Sequence, residues 1–131
     1  MKRLLLLALA VAACPAPAPP PGAAGPAEAV QEFATALQKG DAATAWALLS
    51  SRSQQEADAR AARARAASAD GKPESGRAML FGSALPGKAI EARVVAQEGD
   101  AAQVRTNEDG GRTYRVVREG DRWRIDLDLP D

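Results

Sequence analysis

Six of the chain's nine prolines fall within the twelve residues Pro15–Pro26, PAPAPPPGAAGP, and this cluster divides the sequence before any other feature does. Proline fixes φ and carries no backbone donor, so the segment predicts an extended spacer that joins neither helix nor sheet ladder. At about 3.1 Å per residue it reaches roughly 30–40 Å. A proline-rich ligand for a partner's aromatic groove is the other use of such a segment. Ahead of it lies a short apolar leader. Behind it lie about 105 residues, enough for one modest domain with one core.

The leader is MKRLLLLALAVAAC, with Lys2 and Arg3 ahead of an apolar run from Leu4 to Val11, then Ala12, Ala13 and the sole cysteine, Cys14. Leu4 to Ala13 is about ten residues, roughly 15 Å as a helix, half of what a membrane span needs. Ala8-Leu9-Ala10 or Ala10-Val11-Ala12 would suit an ordinary secretory cleavage site. Val11-Ala12-Ala13-Cys14, placed where the apolar run ends, resembles the lipobox of bacterial lipoproteins. That resemblance implies cleavage between Ala13 and Cys14, a diacylglyceryl thioether on Cys14 and N-acylation, for example by palmitate. Two or three acyl chains hold durably where one does not. The partner so implied is a membrane. Pro15 is not the aspartate associated with inner-membrane retention, so in a two-membrane bacterium the resemblance implies the outer membrane, facing the periplasm. The expected organisation is a signal peptide over 1–13, lipidated cysteine and tether over 14–25, and one domain over 26–131.

Without the leader the 17 basic residues fall to 15 against 17 acidic ones, a mildly negative chain that advertises no nucleic-acid partner. There is no histidine, and the one cysteine is the residue that the lipobox resemblance implies is lipidated. Triads that need a histidine base, and zinc sites built from His and Cys, are excluded on composition. No glycine-rich phosphate loop opens a helix. No cofactor or metal is expected.

The domain opens as a helical hairpin. Val30, Phe33, Ala34 and Leu37 form one apolar stripe of a helix starting near Pro26, a residue suited to the first turn. Lys39-Gly40-Asp41 then reads as last turn, left-handed stop and next N-cap. Ala42, Ala45, Trp46 and Leu49 give a second stripe to about Ser50. Ser53 and Glu56 make a capping-box pattern for a third, alanine-rich helix to Ala69, its Arg60, Arg63 and Arg65 spread around it and Glu56 pairing with Arg60. These arginines read as a solvated face rather than an anion patch. Between Asp70 and Gly87, glycines and prolines predict a long loop, with Met79 to Phe81 plugging the core.

From Lys88 the period becomes two. Ile90 to Val95, Ala102 to Thr106, Tyr114 to Val117 and Trp123 to Leu129 read as strands, separated by Glu98-Gly99-Asp100, Asp109-Gly110-Gly111 and Glu119-Gly120-Asp121. Asp126 and Asp128 lie opposite Trp123, Ile125 and Leu127, and are expected to face water rather than to act as paired carboxylates or a calcium site. The fold class is therefore α+β, with two or three N-terminal helices on one face of an antiparallel meander of about four strands.

Ala29-Val30-Gln31-Glu32-Phe33, the Gly40-Asp41 junction, Ala45-Trp46-Ala47-Leu48-Leu49-Ser50 and Gly120-Asp121-Arg122-Trp123-Arg124-Ile125 occur in an order that resembles small lipoproteins of the nuclear-transport-factor-like superfamily. The resemblance covers residues 26 to 129 and implies helices against a curved sheet, a cone with a cavity at its wide end. Some members are isomerases or dehydratases working through a cavity carboxylate, but no aspartate here matches a family catalytic motif. Two readings follow. One is a non-catalytic envelope module that binds a small ligand or an envelope protein, with Trp46, Phe81, Tyr114 and Trp123 as candidate cavity walls; a scaffold subunit is its variant. The other is a minimal acid/base enzyme of isomerase or dehydratase type, using a buried carboxylate of raised pKa.

Overall fold

A computed structural model describes residues 22–82, 90–107 and 111–129. Four helices, α1 (Pro26–Gln38), α2 (Ala42–Ala47), α3 (Ser51–Ala67) and α4 (Gly76–Phe81), precede four strands, β1 (Ala92–Glu98), β2 (Ala101–Thr106), β3 (Thr113–Glu119) and β4 (Arg122–Asp126). The strands form one antiparallel sheet in the order β1-β2-β3-β4, as the alternation from Lys88 onward expects. Cys14, the signal segment, the prolines through Pro21 and the Asp109-Gly110 turn lie outside the described residues.

Helix α1 begins on Pro26 and buries Val30, Phe33 and Ala34, with Leu37 half-buried at the end of the same stripe. Gly40, at φ +67°, takes the left-handed turn that a side chain would resist, and Asp41 caps α2 by accepting from the Thr44 N–H at 3.1 Å. Ala102, Val104, Tyr114, Val116, Trp123 and Ile125 of the sheet meet Ala29, Val30, Phe33, Ala45, Leu48 and Leu49 in one buried cluster. All of the strand residues in that list lie on the face that α1 covers.

Several boundaries differ from the sequence expectation, each for a local reason. Helix α2 stops at Ala47 because Leu48 to Ser50 leave the helix and pair with β4: Ile125 N–H donates to Leu48 O and Ser50 N–H donates to Ile125 O, both at 2.7 Å. Helix α3 is capped by Ser50, whose Oγ accepts from Ser53 N–H, so the Ser53–Glu56 box lies inside the helix rather than at its start. Helix α3 also ends at Ala67, short of Ala69. Part of the expected loop is helix α4. Ser75 caps it through Ala78 N–H, and Gly76 fits against Ala57 and Asp58 where a Cβ would come within 2.6 Å of their backbone. Leu80 and Phe81 of α4 pack on the core, the Phe81 ring meeting Phe33 edge-on at 6.1 Å. Strand β1 runs on to Glu98 by way of a bulge at Val95, and β4 ends at Asp126.

The last residues of the proline-rich segment also depart from expectation. Ala23 exchanges backbone hydrogen bonds with Trp123, at 2.9 and 2.8 Å, and is fully buried. Gly22 to Gly25 carry no proline, so their N–H groups are free to pair. Gly22 is held at φ +112°, its carbonyl accepting from Arg122 at 2.7 Å. The sheet thus begins before Pro26, and the outer edge of β4 is covered along its length by Ala23 and by Leu48 to Ser50.

Leu49 is fully buried at the point where this edge meets the core. Leu49→Ala should lower unfolding free energy by about 3 kcal/mol, read as a lower urea midpoint with an unchanged slope.

Candidate functional site

Pairing Leu48 to Ser50 beside β4 delivers the first turn of α3 onto the end of that strand. Asp126, expected to face water with Asp128, is instead the most enclosed acid of the described residues. Its side chain is 5% exposed, whereas that of Asp128 is fully exposed. The reason is the neighbouring chain and not the strand's own period: Asp126 does point away from the core, but Ser50 and Arg52 close over it. Ser50 Oγ donates to Asp126 Oδ1 at 2.6 Å and Arg52 Nε donates to the same oxygen at 3.0 Å. Arg115, directly opposite on β3, stands 3.6 Å from Oδ2.

Burial by itself pushes the Asp126 carboxyl up. The hydrogen bonds from Arg52 and Ser50, with the charges of Arg52 and Arg115, outweigh it and hold the group below the ordinary aspartate value. Arg52 is raised in turn, chiefly by its bond to Asp126.

The same helix turn ties down the chain that follows β4. Leu127 N–H donates to Ser53 Oγ at 2.8 Å, Arg52 donates to Leu127 O at 2.9 Å, and Arg60 donates to Leu129 O at 2.7 Å. Glu56 links the two arginines, at 3.0 Å from Arg52 and 3.1 Å from Arg60, which includes the expected i,i+4 pair. On the other side Glu119 accepts from Ser51 N–H at 2.7 Å and pairs with Arg124 at 3.3 Å, a carboxylate at a helix N-terminus. Arg65 donates to Glu74 O at 2.7 Å, so this arginine too serves as a clamp.

Arg52, Arg112, Tyr114, Arg115, Asp126 and Asp128 line an open groove of about 220 Å³. The Arg112 guanidinium lies over the Tyr114 ring, 4.7 Å from its centre. Chemically, the groove offers guanidinium donors, and its one buried carboxylate already accepts two hydrogen bonds at Oδ1 and faces Arg115 at Oδ2. A carboxylate held below its ordinary value is a weak base and is not a proton donor near neutrality. The arrangement can hold an anionic or polar group; it is poorly matched to moving a proton.

The four aromatic residues suggested as cavity walls do not gather around one cavity. Tyr114 and Trp123 are buried in the core, and Trp46 and Phe81 are half-buried against it. Tyr114 also forms a wall of the groove, and Phe81 lines a small cleft beside Asp41. Ser50, Arg52 and Arg115 escaped sequence reading, and Asp126 was expected to face water, because the cluster depends on a pairing that brings Ser50 and Arg52 to a residue about 75 positions away. The Ser50–Ser53 spacing, identical to a helix cap, was the available signal. Among the described residues no group of three or more His, Cys, Asp or Glu side chains is placed to hold a metal ion. Comparison with family profiles, with characterised proteins and with solved structures gave no match to this chain.

Asp126 carries stability with a definite sign in pH. Its folded value is depressed, so its contribution is present above the ordinary value of 3.8 and is lost as pH falls through the folded value. Asp126→Asn should therefore lower stability by about 2 kcal/mol at neutral pH, and chemical denaturation at falling pH should show the gap to wild type closing below about pH 4.

Proposed function

We propose that this chain is a lipid-anchored lipoprotein of the bacterial cell envelope whose single domain, a cone of nuclear-transport-factor-like type, binds a ligand or envelope partner and does not catalyse. The lipobox at Val11 to Cys14 supports the anchor, and the order of helices and meander supports the domain type. The observation that carries the non-catalytic reading is Asp126 held by Arg52 and Ser50, while the pairing of Ala23 with Trp123 sets where the tether meets the domain. Only eight positions separate Cys14 from Gly22, a contour of at most about 30 Å, so the acylated cysteine and the β4 edge are close neighbours by chain length alone. A domain hung this way works near a membrane surface, in a two-membrane bacterium the periplasmic face of the outer membrane. Among the described residues no helix is long and apolar enough to cross a membrane.

Binding is favoured over acid/base catalysis by the state of Asp126, whose carboxylate is buried but held ionised by Arg52 and Ser50. An isomerase or dehydratase would need the opposite shift. The groove carrying Arg112 and Arg115, with Tyr114 in its wall, is the place for contact with a polar or anionic group.

The test uses the full chain expressed in a lipoprotein-processing bacterium and labelled with a clickable fatty acid. Wild type should be labelled and sediment with membranes, and Cys14→Ala should lose the label and appear in the soluble fraction. Retention of label and membrane association by Cys14→Ala would refute the anchor.

A further inference from the structure

The two edges of the sheet are treated differently. The outer edge of β4 is occupied by Ala23 and by Leu48 to Ser50. The other edge is β1, in which six of seven residues are exposed and the seventh, Ala92, is half-buried. The exposed large hydrophobic side chains of the described residues are Val94, at 40%, and Val95, at 48%, both at the middle of this strand. An exposed strand edge that carries apolar side chains is a template for pairing.

The charges on β1 say what it would pair with. Val94 lies opposite Val104 and Ala96 opposite Gln103, so Val95 is an extra residue. That bulge reverses the faces beyond it. Arg93, opposite Arg105, and Glu98, opposite Ala101, therefore share the face away from α1, although five positions separate them. Neither has an ion-pair partner among the described residues, and Arg93 instead confronts another arginine across the ladder, an unfavourable placement.

If β1 lies antiparallel to a second β1 about a two-fold axis, with Arg93 opposite Glu98, then Val94 falls opposite Gln97, Val95 opposite Ala96, and every opposed pair outside the bulge agrees in face. The two-fold repeats the Arg93–Glu98 pair. Sliding one strand by two residues, the nearest register that keeps the faces matched, would set Glu91 opposite Glu98 twice. Charge thus selects one register, and the strand is complementary to itself.

We propose that two copies of this chain associate through β1, making a continuous eight-stranded sheet with Val94 and Val95 at the seam and two Arg93–Glu98 pairs across it. An isologous contact of this kind closes after two copies, and the covered β4 edges stop further growth. The proposal rests on the fold and on β1, and stands apart from the lipid anchor.

The test is sedimentation equilibrium of the full chain in density-matched detergent, with circular dichroism verifying that each variant is folded. Wild type should reach the mass of two chains. Arg93→Glu and Glu98→Arg should each weaken association at least about tenfold, because two attractive cross-strand pairs become repulsive. The double variant R93E/E98R should restore it. A monomeric wild type, single variants that associate as wild type does, or a double variant no better than the singles would each overturn the proposal.

Discussion

The backbone hydrogen bonds along the outer edge of β4 hold the remainder of the domain in register. Trp123 pairs with Ala23 and Ile125 with Leu48 and Ser50, so a strand that would otherwise end the sheet becomes an interior one. Two consequences follow from this one constraint. The chain leaving the proline-rich segment is fixed to the sheet at its first described residues. The α2–α3 junction is drawn onto the strand end, where Leu49 enters the core and Ser50 turns outward to Asp126.

The second consequence explains why a carboxylate is buried on the nominally wet face. An enclosed charge is costly unless hydrogen-bonded and paired, and the pairing here is dense: Ser50, Arg52 and Arg115 surround Asp126, while Arg52 and Arg60 also clamp the carbonyls of Leu127 and Leu129. Such a cluster is weak evidence of stability in itself, since an apolar replacement can serve as well. Its contacts fix the first turns of α3 against the end of β4 and the residues that follow it. A site organised in this way has its acid committed to structure, leaving the surface and the groove as the places where another molecule can be met.

Much of this was legible in the sequence where a single period or cap decides the outcome. The Val30-Phe33-Ala34-Leu37 stripe, the Lys39-Gly40-Asp41 junction and the alternation around Trp123 and Ile125 all depend on residues within a few positions of one another. What was not legible depends on distant segments. Asp126 follows the strand's alternation faithfully and points away from the core, yet it is buried because Ser50 and Arg52 arrive beside it. Helix α4 was concealed by flanking glycines and prolines, and its formation rests on the Ser75 cap and on Gly76 fitting against α3. In the candidate site, the alternation of β4 gave the side of the strand on which Asp126 lies, whereas its cluster with Ser50, Arg52 and Arg115 required the fold.

Among the described residues Asp126 is the one enclosed carboxylate, and its hydrogen bonds from Ser50 and Arg52 make it a structural anion and not a poised acid. Carbon-detected NMR of the Asp126 side-chain carboxyl across an acid titration measures this directly. The midpoint should lie below the ordinary aspartate value of 3.8. A midpoint raised toward neutrality would contradict this and favour the acid/base enzyme over the binding module.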